Sequence, residues 1–204
     1  MRVYLDSIGC RLNQSEIEKY ASEFSARGHS LVGSLVDADL AVLNTCAVTA
    51  AAVSDSRQRI HRLLNQPGLK IIATGCLAEV KADDLRQLSD HLIIISNLDK
   101  DHLVDIVLGS TYSDKLTIRT PVPGLRRRTR AFIKAQDGCD NHCTYCVTRL
   151  ARGASRSIPI SGVCSDIHSA LASGVKEIVL TGVQLGSWGS DLTPRMHLKD
   201  LMHE

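Results

Sequence analysis

Residues 138–146, GCDNHCTYC, carry three cysteines at C-x3-C-x2-C spacing: Cys139, Cys143 and Cys146. This is neither the paired C-x2-C of structural zinc nor the C-x2-C-x2-C run of bacterial ferredoxins. Thiolates are soft, charged donors suited to iron-sulfur clusters, and three on one tight loop can hold three corners of a cubane. The fourth iron then stays open to a small molecule, so the loop suits chemistry on a bound ligand rather than electron storage alone. On residue types, a zinc site completed by His142 is the alternative.

Three more cysteines are far apart in the chain, yet each sits just past an apolar run with strand character. Cys10 ends YLDSIGC, Cys46 ends AVLNTC and Cys76 ends IIATGC. In an open parallel sheet the carboxyl ends of the strands line one edge, where ligands bind. The three thiols are therefore expected to converge. Taken singly, each would read as a small apolar core residue, and that is the reading for Cys164 on a helical stretch beside Val163, Ile167 and Leu171.

The elements that must place these thiols alternate along the chain. Strand character occurs at 2–7, 39–44, 69–74, 92–95, 131–136 and 176–181, and helical patterns at 49–64, 81–88, 100–108 (ending at Gly109) and 161–173. In NQSEIEKYASEF, Ile17, Tyr20, Ala21 and Phe24 mark one helix face, and Asn13 with Glu16 reads as a capping box. Strand and helix in alternation predict an α/β fold with parallel sheets and right-handed crossovers. Residues 110–130 lose the periodicity and contain Pro121, Pro123 and Gly124. The expected division is an amino-terminal open parallel-sheet domain over 1–120, Rossmann- or flavodoxin-like, a linker over 121–130, and the start of a (β/α) barrel over 131–204. That barrel reads as truncated, because a full one takes roughly 200 residues or more.

Composition narrows the classes. The chain has 204 residues, 44% of them hydrophobic, and no run long enough to span a membrane. Asp6 breaks the one apolar run near the amino terminus, which argues against a signal peptide. A cytoplasmic protein is expected, and seven cysteines in a reducing compartment point to metal binding rather than disulfides. Residues 1–120 hold 13 Lys/Arg against 15 Asp/Glu, a net −2, whereas 121–204 hold 11 against 7, a net +4. Arg126, Arg127, Arg128, Arg130, Lys134, Arg149, Arg152 and Arg156 form a basic segment able to meet phosphates, or simply a solvated one. The helix stripe Arg57, Arg59 and Arg62 reads as solvated. Aromatic residues are 3% of the chain, which disfavours base stacking as the main route to RNA.

The C-x3-C-x2-C loop, with Tyr145 before its last cysteine and a strand ahead of it, resembles the radical S-adenosylmethionine superfamily. The segments GCRLNQSE, NTCAVT, ATGCLAE, RTRAFIKAQDGCDNHCTYC, ARGASRS and EIVLTGVQLGSWG extend the likeness over most of the chain, to the methylthiotransferase family. The resemblance implies two 4Fe-4S clusters, one on Cys139, Cys143 and Cys146 and one on Cys10, Cys46 and Cys76. At the first, S-adenosylmethionine would be chelated and cleaved to a 5′-deoxyadenosyl radical; at the second, sulfur would be held for insertion. Cofactor contacts are implied for Tyr145 near the adenine, for Arg152 and Arg156, and for Gly182 through backbone groups, since Thr-Gly-Val stands where many members have Gly-Gly-Glu. No residue is singled out as a catalytic acid or base.

Within the family, Thr49 of NTCAVT, ARGASRS and LTGVQLGSWG look most like the branch acting on N6-threonylcarbamoyladenosine beside the tRNA anticodon. Branches acting on isopentenyladenosine or on a ribosomal-protein aspartate more usually have arginine at that position. The implied partners are tRNA, an electron donor and a sulfur donor, with no membrane. An iron-sulfur electron-transfer or redox-sensing module is the reading from another class, but it would want a fourth thiol in each set.

Overall fold

The computed structural model describes residues 1–110, 119–120, 122–123 and 130–204. The sequence-predicted linker over 121–130, with Arg126, Arg127 and Arg128, lies mostly outside them.

Five strands form one parallel sheet in the order β2-β1-β3-β4-β5, with β1 Arg2–Ser7, β2 Ser30–Val32, β3 Leu40–Thr45, β4 Lys70–Gly75 and β5 Leu92–Ile94. The central strand β3 is buried at every position, as a parallel strand covered on both faces must be. Helix α1, Arg11–Ala26, covers one face with Ile17, Tyr20, Ala21 and Phe24, joined by Leu103 and Val104 of α5, Leu103–Leu108. Helix α2, Ala50–Leu64, covers the other with Ile60 and Leu63, joined by Leu77 and Ala78 of α3, Cys76–Val80, and Leu85 of α4, Ala82–Arg86. The helix expected over 81–88 is thus two short ones either side of Lys81. The strand at Ser30–Val32 carried no alternation long enough to announce itself.

A second parallel pair joins β6, Arg130–Lys134, to β9, Glu177–Thr181, with Phe132 opposite Val179. Helix α7, Ile160–Ala172, packs Val163 and Ala170 against Ala131 and Ile133, with Trp188 completing that core. The run expected as a single strand over 131–136 breaks after Lys134, and β7, Gln136–Asp137, pairs antiparallel with β8, Arg156–Ser157. Parallel pairing therefore does not hold throughout. Helix α6, Val147–Arg152, follows the cysteine loop, and α8, Leu198–Met202, is the last described element.

The capping box at Asn13 and Glu16 is not formed. Helix α1 starts at Arg11 with Cys10 as its N-cap, so both residues fall inside the first turns and are buried. A buried carboxylate must find cations and a buried amide must find hydrogen bonds, and tertiary partners outcompete the local cap. No described helix is long and apolar enough to cross a membrane.

Candidate metal centres

The register brings the first three thiols to one edge. Ser7 is opposite Asn44 and Thr45 opposite Gly75, so β1, β3 and β4 end nearly level. Cys10, Cys46 and Cys76 follow those ends on adjacent strands. Two glycines make the approach possible. Gly9 has φ +100°, and a Cβ there would stand 2.6 Å from both the Cβ and the Sγ of Cys46. Gly75, at φ +90°, lies against Asn44 Oδ1 and the Thr45 backbone. Only a residue without a side chain permits that closeness, and glycine alone adopts such φ values at little cost.

The surrounding bonds are short and buried. Thr45 Oγ1 donates to the Thr74 carbonyl at 2.6 Å and accepts from Ala78 N at 3.0 Å, tying β3 to α3. Ser56 Oγ accepts from Cys46 N at 3.1 Å and donates to the Cys46 carbonyl at 3.2 Å. Asn13 Nδ2 donates to the carbonyls of Ile8 at 2.7 Å and Thr45 at 3.0 Å, clasping the chain just ahead of both Cys10 and Cys46. Burial pushes the Cys76 thiol up, Arg152 opposes this, and Cys46 and Cys10 push it further. Among the described residues, no three His, Cys, Asp or Glu side chains form a group closed around a single metal ion. The donor chemistry and the glycine-lined approach fit a soft, polynuclear group.

The second trio sits on a loop pinned at both ends. Gln136 Nε2 donates to the Asp137 and Gly138 carbonyls and to Ser155 Oγ, while its Oε1 accepts from Gln184 N at 2.9 Å. Cys139 N donates to the Gly153 carbonyl at 3.0 Å. Cys139 Sγ and Asn141 Nδ2 both reach Gln184 Oε1, at 3.2 and 2.7 Å. Cys146 is the N-cap of α6, and hydrogen bonding with Thr148 draws its thiol below the ordinary value. Cys143 is exposed, and Cys139 and Cys146 are half-buried. His142 packs against the Arg149 guanidinium, which also donates to the Asp140 carbonyl. Its imidazole is therefore engaged away from a ligand role.

The remaining sequence-predicted site residues fall as follows. Tyr145 is 90% exposed on the loop, its ring free of a packing partner in the core. At Gly182 a Cβ would come within 3.0 Å of Gln136 Oε1, so the small residue lets Gln136 reach Gln184. Arg156 Nη1 donates to the Arg152 carbonyl at 3.1 Å and its side chain remains 38% exposed. Arg152 is 2% exposed and bound entirely within the protein. Among the described residues of the basic segment, Lys134 and Arg152 are both buried in ion pairs. The Arg57, Arg59 and Arg62 stripe is not wholly solvated either, since Arg59 pairs with Asp6.

Between the two trios lies a cluster of buried charges. Lys100 Nζ is 2.6 Å from Glu16 Oε1 and 2.7 Å from Asp137 Oδ2. Arg152 Nη1 is 3.2 Å from Glu16 Oε1 and 2.9 Å from Asp137 Oδ1, and Lys134 Nζ bonds Asp101 at 2.5 Å. Asn44 Nδ2 donates to the other Glu16 oxygen at 2.7 Å. Burial alone would raise both carboxyls. Lys100, Arg152 and Lys134 override it and hold Glu16 below its ordinary value and Asp137 far below. Sequence reading missed this cluster and also Gln136 and Gln184. Its one signal was Glu16 on the same helix face as Tyr20, an acid among apolar positions.

Residues 2–96 match the model of a family described as uncharacterized protein family UPF0004. The threonylcarbamoyladenosine tRNA methylthiotransferase MtaB of Rickettsia prowazekii is 36% identical over 200 residues, covering 94% of this chain and 46% of that protein. The MtaB of Chlamydia pneumoniae is 33% identical over 89% of this chain and 43% of its own length. The ribosomal protein uS12 methylthiotransferase RimO of Carboxydothermus hydrogenoformans is 32% identical, covering 100% of this chain and 49% of the relative. The chain is similar to methylthiotransferases over most of its length. It spans about half the length of the curated relatives it matches. In fold, the chain resembles the radical S-adenosylmethionine methyltransferase TsrM of Kitasatospora setae, with a TM-score of 0.63 at 13% identity over 99% of this chain and 50% of that one. The α/β architecture, a parallel open sheet followed by further strand-helix units, is the one expected from the sequence.

Proposed function

We propose that the protein inserts a methylthio group into a tRNA nucleoside, with N6-threonylcarbamoyladenosine as the substrate, in the cytoplasm. The observation that carries this reading is the placement of two separate cysteine trios, one at the edge of the parallel sheet and one on the loop after β6, in a chain similar to methylthiotransferases. Cys10, Cys46 and Cys76 are the proposed ligands of one 4Fe-4S cluster, and Cys139, Cys143 and Cys146 those of another. When bound, such clusters supply one-electron cleavage of S-adenosylmethionine and a sulfur atom for insertion. Residues 1–120 and 131–204 are the proposed domains carrying them.

This chain's own residues set the positions. Gln184 orients Cys139 and Asn141, Thr148 favours the thiolate of Cys146, and Gly9 with Asn13 brings Cys10 beside Cys46. Exposed Tyr145, at the mouth of the loop, is the proposed cover for the adenine of S-adenosylmethionine, with Arg156 and the Gly182 backbone as polar contacts. The threonylcarbamoyladenosine substrate is supported by the MtaB relatives at up to 36% identity. Thr49 contributes less than its sequence position suggested. Its Oγ1 accepts from Ala52 N at 3.1 Å as the N-cap of α2, a structural task that explains a threonine there without reference to substrate.

The RimO relatives, 32% identical over the whole chain in one case, favour a ribosomal protein as the second substrate reading. Anaerobic reconstitution of the full-length protein, reduced with S-adenosylmethionine and unmodified tRNA, is expected to give 5′-deoxyadenosine and the 2-methylthio nucleoside. Formation of 5′-deoxyadenosine with product only on the ribosomal protein would overturn the tRNA assignment. No 5′-deoxyadenosine with both clusters verified would remove the activity itself.

A further inference from the structure

One side chain grips the footing of both thiol trios. Arg152 stands at the end of α6, the helix capped by Cys146, and is 2% exposed. Its Nη1 bonds Asp137 Oδ1 at 2.9 Å, the same oxygen that accepts from Gly138 N at 2.8 Å, one residue before Cys139. Its Nη2 bonds Asn13 Oδ1 at 2.5 Å, and Asn13 holds the carbonyls of Ile8 and Thr45, just ahead of Cys10 and Cys46. Nη1 meets Glu16 at 3.2 Å, so the guanidinium is clamped between carboxylates from α1 and β7.

We propose that Arg152 is a positioning residue that locks the two cysteine trios into one fixed relative orientation, rather than a contact to S-adenosylmethionine. The proposal rests on the two-cluster reading above. A planar fork is required for this task. One cation centre could balance Asp137 and Glu16, and Lys100 already does so, but only a guanidinium presents a second in-plane donor to Asn13 at a fixed angle. Holding donor and radical sites in register matters because a misplacement of about 1 Å lowers a rate by roughly 100-fold.

The test uses the full-length protein carrying Arg152→Lys, which keeps the charge and removes the fork, and Asn13→Ala, which cuts the same bridge from the other side. Iron and sulfide contents first establish whether two clusters are present in wild type. With both present, Arg152→Lys is expected to retain them and to broaden the spin-spin interaction between the reduced clusters in pulsed electron paramagnetic resonance. Methylthiolated product per 5′-deoxyadenosine should fall about tenfold or more, because cleavage continues while transfer loses register. A merely structural loss would lower both together.

Hydrogen exchange on the metal-free protein is the arm that needs no cluster. Both variants are expected to accelerate exchange at 8–13 and at 138–146 together, including the loop that Asn13 does not touch. Unchanged spin-spin interaction and product ratio, or faster exchange confined to the segment next to the substituted residue, would overturn the strut. A wild type with a single cluster would overturn the two-cluster reading instead, and exchange would still decide the linkage.

Discussion

Replacing Lys100 by Met isolates the buried charge cluster, because Met matches the unbranched side chain as far as Cε and carries no charge. The Lys100 side chain is fully buried, with its ammonium 2.6 Å from Glu16 and 2.7 Å from Asp137. Its carbonyl, which accepts from Tyr20 Oη at 3.0 Å, is untouched by the change. Removing one partner of a buried ion pair costs about 3–5 kcal/mol, since the other charge is left uncompensated. For a chain of this size each kcal/mol moves the thermal midpoint by roughly 2–4 °C, so a fall of about 6–20 °C is expected.

Acid should narrow the gap. In the wild type, Asp137 and Glu16 are held below their ordinary values, so their contribution is full above the unfolded carboxylate range near 4 and is lost as pH falls through the folded values. In Lys100→Met, a folded carboxyl shifted upward would gain relative stability as pH falls from 7 to 5. Adding Glu16→Gln removes the orphaned charge and keeps an acceptor for Asn44. The double variant is therefore expected to be more stable than Lys100→Met alone. The assay is the unfolding midpoint followed by fluorescence of Trp188, the single tryptophan, 1% exposed, with calorimetry beside it. A midpoint equal to wild type for Lys100→Met, or a double variant that loses the sum of the single losses, would refute the reasoning.

Three further outcomes are expected. Cys76→Ser should reduce iron and acid-labile sulfide from about eight to about four of each per full-length chain, with the signal of the loop cluster retained; unchanged iron would remove Cys76 from the ligands. Gly9→Ala should destabilise by about 1–2 kcal/mol from its φ alone, more once the methyl meets Cys46, and should slow cluster assembly at the first trio measured by iron uptake. Thr49→Ala should lower the unfolding free energy by about 1 kcal/mol through loss of the α2 cap, with the modified nucleoside identified by mass spectrometry unchanged; a switch of substrate would restore Thr49 as a specificity residue.

The sequence by itself determined where the chemistry-bearing residues stand relative to the elements. Strand periodicity located β1, β3, β4 and β9 to within a residue, and each of Cys10, Cys46 and Cys76 was legible as a residue just past a strand end. Alternation of strand and helix was enough to predict a parallel sheet, and parallel strands align their carboxyl ends, so the level ends of β1, β3 and β4 followed from local pattern. The loop after β6 was legible because its three cysteines are close in sequence.

Only the tertiary structure decided what holds the two trios against each other. Asn13 and Glu16 read locally as a cap, Lys134 as a strand residue, Lys100 as the start of a helix, and Arg152 as part of a basic segment and an implied cofactor contact. None of those positions reveals that all of them meet in one buried cluster. Local pattern reports which face of an element is apolar, whereas the pairing of buried charges depends on partners up to 139 positions away, as with Asn13 and Arg152. Burial makes such pairing obligatory, and the packing of α1 and α3 against β6 and α6 selects which charges are paired.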